Sequence, residues 1–325
     1  MKKFLKKIKK GIYFLFSNIF KSISFVFDNS IGLIFTKKIR KYQEKNNNSA
    51  LKFFKILFIM VLSVLLFRSV YNLILLKPVK YLLTFLGNIL QGSYKKVINE
   101  YGLRFSEGIR ETIFLSLTGT VMGLILAIPL SFLITLKISE RDNLFIKVLK
   151  KIGFVFSKTY VTIFRGTPMI VQAMIIFYGI RSFIEFDPLE AGLITVTLNT
   201  TAYLTEVLRG GIESIHQGQF EGAYSLGLSK WKTMIYVIYP QAIKNSMAAI
   251  GNEFIINIKD TSVLNVISVV DIYKVASDAK ARYLSFPPFL IAALIYLFLT
   301  FIMTRILKKV EKRFEVPVKE LPSSN

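Results

Sequence analysis

Asn199 and Glu206 stand seven residues apart in an apolar stretch, with Tyr203 between them, a spacing that stacks side chains along one face of a helix. A carboxylate inside a bilayer costs roughly 3 kcal/mol unless it meets a polar cavity or a partner. Glu206 is therefore expected either to line a solute path, where it would meet a cationic amino group, or to pair with Arg209 one turn on. The residues alone leave both readings open. Gln172, inside another apolar stretch, is a further polar group that needs a path or a partner. Bond-breaking chemistry has no residues to carry it. There is no Cys for thiol catalysis or a disulfide, and one His, His216, cannot build a multi-histidine metal cluster. No Gly-x4-Gly-Lys-Ser/Thr loop is present to cradle phosphates, and no pair of carboxylates or nucleophile with a base is apparent.

The elements that must hold these residues are membrane helices. Of 325 residues, 53% are hydrophobic and 14% aromatic, and the mean hydropathy is +0.49, beyond what a water-soluble domain carries. The net charge of +23 belongs with loops and arms held against anionic lipid rather than with nucleic acid. Residues 1–50 hold twelve basic and two acidic side chains. Their apolar residues Ile12, Phe16, Ile19, Phe20, Ile23 and Phe27 recur every three or four positions, which predicts a basic amphipathic helix in the cytoplasmic interface. A signal peptide competes, but Lys21 and Asp28 interrupt the run and no small-residue cleavage site follows.

Leu51–Leu76 is the first expected span, followed by an extracytoplasmic loop to about residue 106 whose Lys77, Lys80, Lys95, Lys96 and Arg104 sit poorly with a positive-inside bias. Thr112–Leu136 is the second, with Gly119, Gly123 and Ala127 at the four-residue interval that lets helices approach closely. Val161–Ile180 and Ala191–Leu208 follow, then Met247–Val270 as one span or two half-spans, and Phe286–Leu307 with basic residues at its end. The expected fold is an all-α integral membrane protein of about six spans, multi-pass in the cell membrane, with both termini cytoplasmic.

Between spans lies the polar interlude Gly210–Pro240. Gln219–Leu226 is predicted as a short helix with Glu221 in its first turn and Gly227 stopping it, its Phe220, Ala223, Tyr224 and Leu226 offering an apolar face.

Three motifs resemble one family. Arg165-Gly166-Thr167-Pro168 with Val171-Gln172 resembles the R-G-T-P-x2-V-Q stretch of permeases for polar amino acids. Ala202-Tyr203, Glu206 and Arg209-Gly210-Gly211 resemble their A-Y-x2-E-x2-R-G-G pattern. Glu221, Gly222, Ala223, Gly227, Val237, Tyr239 and Pro240 resemble the E-A-A-x3-G-x9-I-x-L-P loop of ABC importer permeases, with Gly222, Val237 and Tyr239 departing from it. Lys259-Asp260-Thr261-Ser262 resembles a segment that follows that loop, where Lys259 and Asp260 are expected to pair with each other or with loop partners.

The resemblance covers about two thirds of the chain. It implies a five-helix permease domain over 107–315, so that Leu51–Leu76 is an addition, with a C-terminal tail at 316–325. It also implies a second permease chain, an extracytoplasmic solute-binding protein, and ATPase subunits that hold ATP and Mg2+ and grip the loop from Gln219 to Pro240. The chain itself would be a transport subunit without a cofactor, not an enzyme, passing a polar amino acid along Glu206, Asn199, Tyr203 and Gln172. An ABC permease for methionine or a quaternary amine, and a channel or carrier needing no ATPase, remain alternatives.

Overall fold

The computed structural model describes residues 76–89, 92–136, 138–140, 142–180 and 187–314, with parts of 61–72. The expected amphipathic arm at 1–50, most of the added span at 51–76 and the tail at 316–325 lie outside the described residues. Among the described residues the secondary structure is helical and no strand occurs. The helices are α1 (Leu76–Ile89), α2 (Ser93–Thr135), α3 (Leu144–Gly166), α4 (Met169–Met174), α5 (Pro188–Glu213), α6 (Gln217–Ser225), α7 (Lys230–Thr233), α8 (Tyr239–Asn245), α9 (Met247–Asp260), α10 (Ile272–Tyr283) and α11 (Pro287–Phe314). Two units emerge, one containing Gln217–Pro240, the other formed by residues 66–216 and 241 onward.

In the larger unit α2 and α5 form the central pair. A Cβ on Gly119 would collide with Val196, and one on Gly123 would lie 3.0 Å from Thr200 Cγ2 and 3.2 Å from the Thr201 nitrogen. The small residues therefore act as expected, letting two backbones approach. The threonines of α5 bring few polar costs, because Thr195, Thr201 and Thr205 each donate to the carbonyl four residues back at 2.7 Å. α10 and α11 close one side around Phe105, Ile258, Ile272 and Val275, all fully buried.

Several expectations change. Residues 77–106 are not a loop: α2 begins at Ser93, because Val97, Ile98, Tyr101, Phe105 and Ile109 make a buried stripe at helical spacing. The basic residues of that stretch lie on its exposed side, and Arg104 pairs with Asp278 at 3.0 Å. A helix not expected there, α3, begins at Leu144, started by Asn143 Oδ1 accepting from the Ile146 amide at 2.9 Å. The expected span Val161–Ile180 is divided, since Val161–Gly166 ends α3 and Pro168 caps α4 from outside its first turn. Met247–Val270 is not one continuous α-helix: α9 ends at Asp260 and tightens into a 3-10 turn, Thr261–Ile267, ended by Ser268 at φ 66°.

Among the described residues two helices, Ser93–Thr135 and Pro287–Glu311, are long and apolar enough to cross a membrane, or three if the bent pair Leu144–Gly166 and Met169–Gly179 counts as one.

Candidate functional site

The polar residues converge where α3 gives way to α4. Thr167 is extended, Pro168 has no amide to continue a helix, and the two helices meet at 105°. Gln172 turns its side chain back into this break. Its Nε2 donates to the Phe164 carbonyl at 2.9 Å, the Thr167 carbonyl at 3.0 Å and Thr167 Oγ1 at 2.8 Å. Its Oε1 accepts from Asn199 Nδ2 at 3.0 Å, and the same Asn199 nitrogen lies 3.5 Å from the Phe164 carbonyl. Both amides are buried. Both ends of the Gln172 amide, the donor nitrogen and the acceptor oxygen, thus meet protein partners.

Arg165 sits between those anchor points. Its side chain is exposed, and Cζ stands 5.3 Å from the centroid of the Tyr203 ring, a cation–π distance. Tyr203 lies one turn beyond Asn199 on α5. On α9, Glu253 is a buried carboxylate. Glu253 was visible in the sequence only as an interruption of an apolar run.

Glu206 takes the local arrangement. Arg209 donates to it through Nε at 3.0 Å and Nη2 at 2.9 Å, while Arg209 Nη1 reaches both oxygens of Glu213 at 2.7 and 2.6 Å. Beyond this cluster Gly210 faces open space, whereas a Cβ on Gly211 would stand 2.8 Å from the Ala242 carbonyl. Gly166 also has room around it. Lys259 and Asp260 are exposed at the end of α9.

A second polar cluster escaped the motif reading. Asn257 Nδ2 donates to Thr120 Oγ1 at 2.9 Å and to Thr200 Oγ1 at 3.0 Å, joining α9, α2 and α5, with all three residues buried. The sequence showed Asn257 as one of three polar residues, with Asn252 and Glu253, that break an apolar stretch, with nothing to indicate its partners.

In the smaller unit the predicted short helix is present as α6, with its start moved forward. It opens at Gln217, so Glu221 falls in the second turn, away from the free amides of the helix start. Gly227, at φ 77°, closes it: its amide donates to the Tyr224 carbonyl at 2.9 Å, and the Leu228 amide to that of Ala223 at 3.1 Å. That pair of bonds is a Schellman motif, and the left-handed backbone explains the glycine. The expected apolar face is divided. Gln219 and Glu221 are exposed with Tyr224 and Leu226, Phe220 is half-buried and Ala223 is buried; Trp231 adds an exposed ring on α7. The interlude is not a loop up to Pro240 either, since a π-helical turn, Met234–Ile238, leads into α8. Pro240 lacks an amide hydrogen, and the altered bonding just before it fits that gap.

The model of one protein family, described as "Binding-protein-dependent transport system inner membrane component", matches residues 144–316. The glutamine transport system permease protein of Escherichia coli strain K12 is 31% identical over 214 residues, which is 65% of this chain and 92% of that protein. The arginine transport system permease protein of Bacillus subtilis strain 168 is 36% identical over 213 residues, 64% of this chain and 91% of its own length. Among solved structures, an amino acid ABC transporter crystallised with histidines is 29% identical, with a TM-score of 0.59, covering 69% of this chain and all of that one. The methionine ABC transporter in an inward-facing conformation shares the fold at a TM-score of 0.56 and 14% identity, over 65% of this chain and 96% of that one.

Proposed function

The chain belongs to the family of binding-protein-dependent transport system inner membrane components and is an ABC importer permease for amino acids; from that premise we propose that its solute is read by Arg165, Tyr203 and Glu253. A polar amino acid presents a carboxylate and an ammonium at neutral pH. Arg165 offers the first a guanidinium, with two parallel donors suited to a carboxylate. Glu253, a buried carboxylate on α9, is assigned to the second, and Tyr203, against the guanidinium, is the aromatic wall. The observation that carries this reading is an exposed guanidinium set against the Tyr203 ring, 5.3 Å from its centroid, at a polar break in an apolar bundle. Such charges in a membrane protein mark a solute pathway by default. Asn199 and Glu206 continue the same face of α5, with Glu206 nearer the end that leads into α6.

Gln217–Pro240 is proposed to face the cytoplasm and to dock ATPase subunits, which hold ATP and Mg2+ and pull on α6. Tyr224, Leu226 and Trp231, large and exposed, are suited to a protein partner rather than to water. A second permease chain would complete the pathway, a binding protein would deliver solute from outside, and both termini would lie inside. Residues 51–106 would be an addition to the five-helix domain of 107–315.

Import of tritiated L-glutamine and L-arginine by the assembled transporter in proteoliposomes tests the solute site. Arg165→Gln and Glu253→Gln should each raise the apparent KM about tenfold or more, equivalent to at least ~1.4 kcal/mol of lost binding. Unchanged KM and rate in both variants would remove these residues from the path. Import that persists without ATP or any ATPase subunit would replace the whole mechanism by a passive pore.

A further inference from the structure

Gln172 and Asn199 are polar, buried and set within apolar helices, and Gln172 spends its Nε2 donors on its own chain rather than on a solute. Its amide is bonded on both sides of Arg165: to the carbonyl of Phe164, the residue before it, and to the carbonyl and hydroxyl of Thr167, two residues after it. Asn199 closes the arrangement from α5 by donating to Gln172 Oε1 at 3.0 Å. One turn along the same helix, Tyr203 receives the Arg165 guanidinium on its ring at 5.3 Å.

We infer that Gln172 and Asn199 are positioning residues that hold the backbone around Arg165 and thereby place its guanidinium over Tyr203. The physical need is plain. Arg165 stands at a 105° break, where α3 has run out of helical bonds and Gly166 adds backbone freedom. An arginine side chain has many rotamers, so a guanidinium on an untethered turn would sample many positions. The Gln172 amide supplies the ties that the missing helical bonds do not, and the Asn199 amide fixes the break relative to Tyr203. Recognition of a planar carboxylate depends on such fixed geometry.

This inference rests on the reading of Arg165 as the solute's anion contact, and a double-mutant cycle separates the two. The assembled transporter, with its ATPase and binding protein, is measured for KM and maximal rate of L-glutamine and L-arginine import. Arg165→Ala, Gln172→Ala and the double variant are compared. Gln172→Glu, which keeps the side-chain shape but loses the donors, is measured alongside in case the alanine variant fails to assemble. The expected result is a KM raised about tenfold by Gln172→Ala or Gln172→Glu, with maximal rate per inserted transporter within about twofold and no further rise on the Arg165→Ala background. If Arg165→Ala raises KM but the Gln172 variants leave KM unchanged, or multiply with it, the positioning role is overturned while the anion contact stands. If Arg165→Ala itself leaves KM unchanged, the anion contact fails and the positioning role with it.

Discussion

Asn257 and Thr120 are 137 positions apart in the chain and meet side chain to side chain at 2.9 Å, with Thr200 bonded to the same amide. Three helices thus share one buried polar node. Thr120 also donates to the Ser116 carbonyl at 2.7 Å and retains that bond without Asn257. Thr200 depends on the node more heavily, giving its hydroxyl to Asn257 Oδ1 at 3.2 Å.

Asn257→Leu should therefore destabilise the protein by about 1–3 kcal/mol, the cost of leaving a buried hydroxyl without its partner. Adding Thr200→Val should recover much of the loss, since replacing both partners with apolar groups of similar shape is nearly neutral. Thermal unfolding of the purified chain in detergent, followed by tryptophan-independent light scattering or fluorescence of a bound dye, reads both changes. A double variant no more stable than Asn257→Leu would show that the node is not what joins these helices.

Two adjacent glycines make a sharper comparison. Gly211 has the Ala242 carbonyl 2.8 Å from where its Cβ would be, and the Ser246 hydroxyl nearer still, while Gly210 has nothing within 4 Å. Gly211→Ala should cost about 1–3 kcal/mol through overpacking, whereas Gly210→Ala should leave stability unchanged or raise it by a few tenths of a kcal/mol through helix propensity. Unfolding temperatures of the two variants measure this. Equal behaviour would mean that α5 and α8 are not in close contact.

The same pair shows how far the sequence could be read. Gly210-Gly211 stood in a motif that pointed to the right family, but nothing local said which glycine is crowded, because the crowding atoms come from residues about thirty positions later. The stripe Gly119, Gly123 and Ala127 was legible because small residues at a helical interval carry one physical meaning whatever the partner. Gln172 and Asn199 were legible as polar residues that need a reason. Their reason was hidden, because it requires knowing that α3 and α4 meet at 105° and that Gln172 can reach backward. In α2 the basic residues mask a buried stripe, and in α10, started by Asp271 whose Oδ1 accepts the Lys274 amide at 2.8 Å, Lys274, Asp278, Lys280 and Arg282 interrupt the apolar residues.

Gly227 tests the proposed link between α6 and an ATPase. Its φ of 77° costs an L-residue about 1 kcal/mol or more, and proline there would also remove the amide bonded to Tyr224. Gly227→Pro, or deletion of Glu221–Ala223, should leave membrane insertion intact while lowering coupled import at least tenfold, corresponding to about 1.4 kcal/mol of coupling. ATPase activity with and without solute-loaded binding protein, measured beside import, gives the readout. Wild-type stimulation and uptake in both variants would refute docking at α6.

Arg209 holds Glu206 and Glu213 together, and the consequences of removing each member are unequal. In Glu206→Gln the guanidinium keeps both oxygens of Glu213, so only a partly exposed pair is lost, worth about 1 kcal/mol or less. Import of L-glutamine and L-arginine by that variant should keep its KM within about twofold if the glutamate serves the local pair, as its hydrogen bonds indicate. Arg209→Gln instead leaves two carboxylates on neighbouring turns with no cation between them, a like-charge arrangement that is destabilising on a helix and worse for the partly buried Glu206. It should lower thermal stability more than either glutamate variant, and Arg209→Gln combined with Glu206→Gln should be more stable than Arg209→Gln alone. A Glu206→Gln variant whose KM rises tenfold at unchanged stability would move this carboxylate from the local pair into direct contact with the solute.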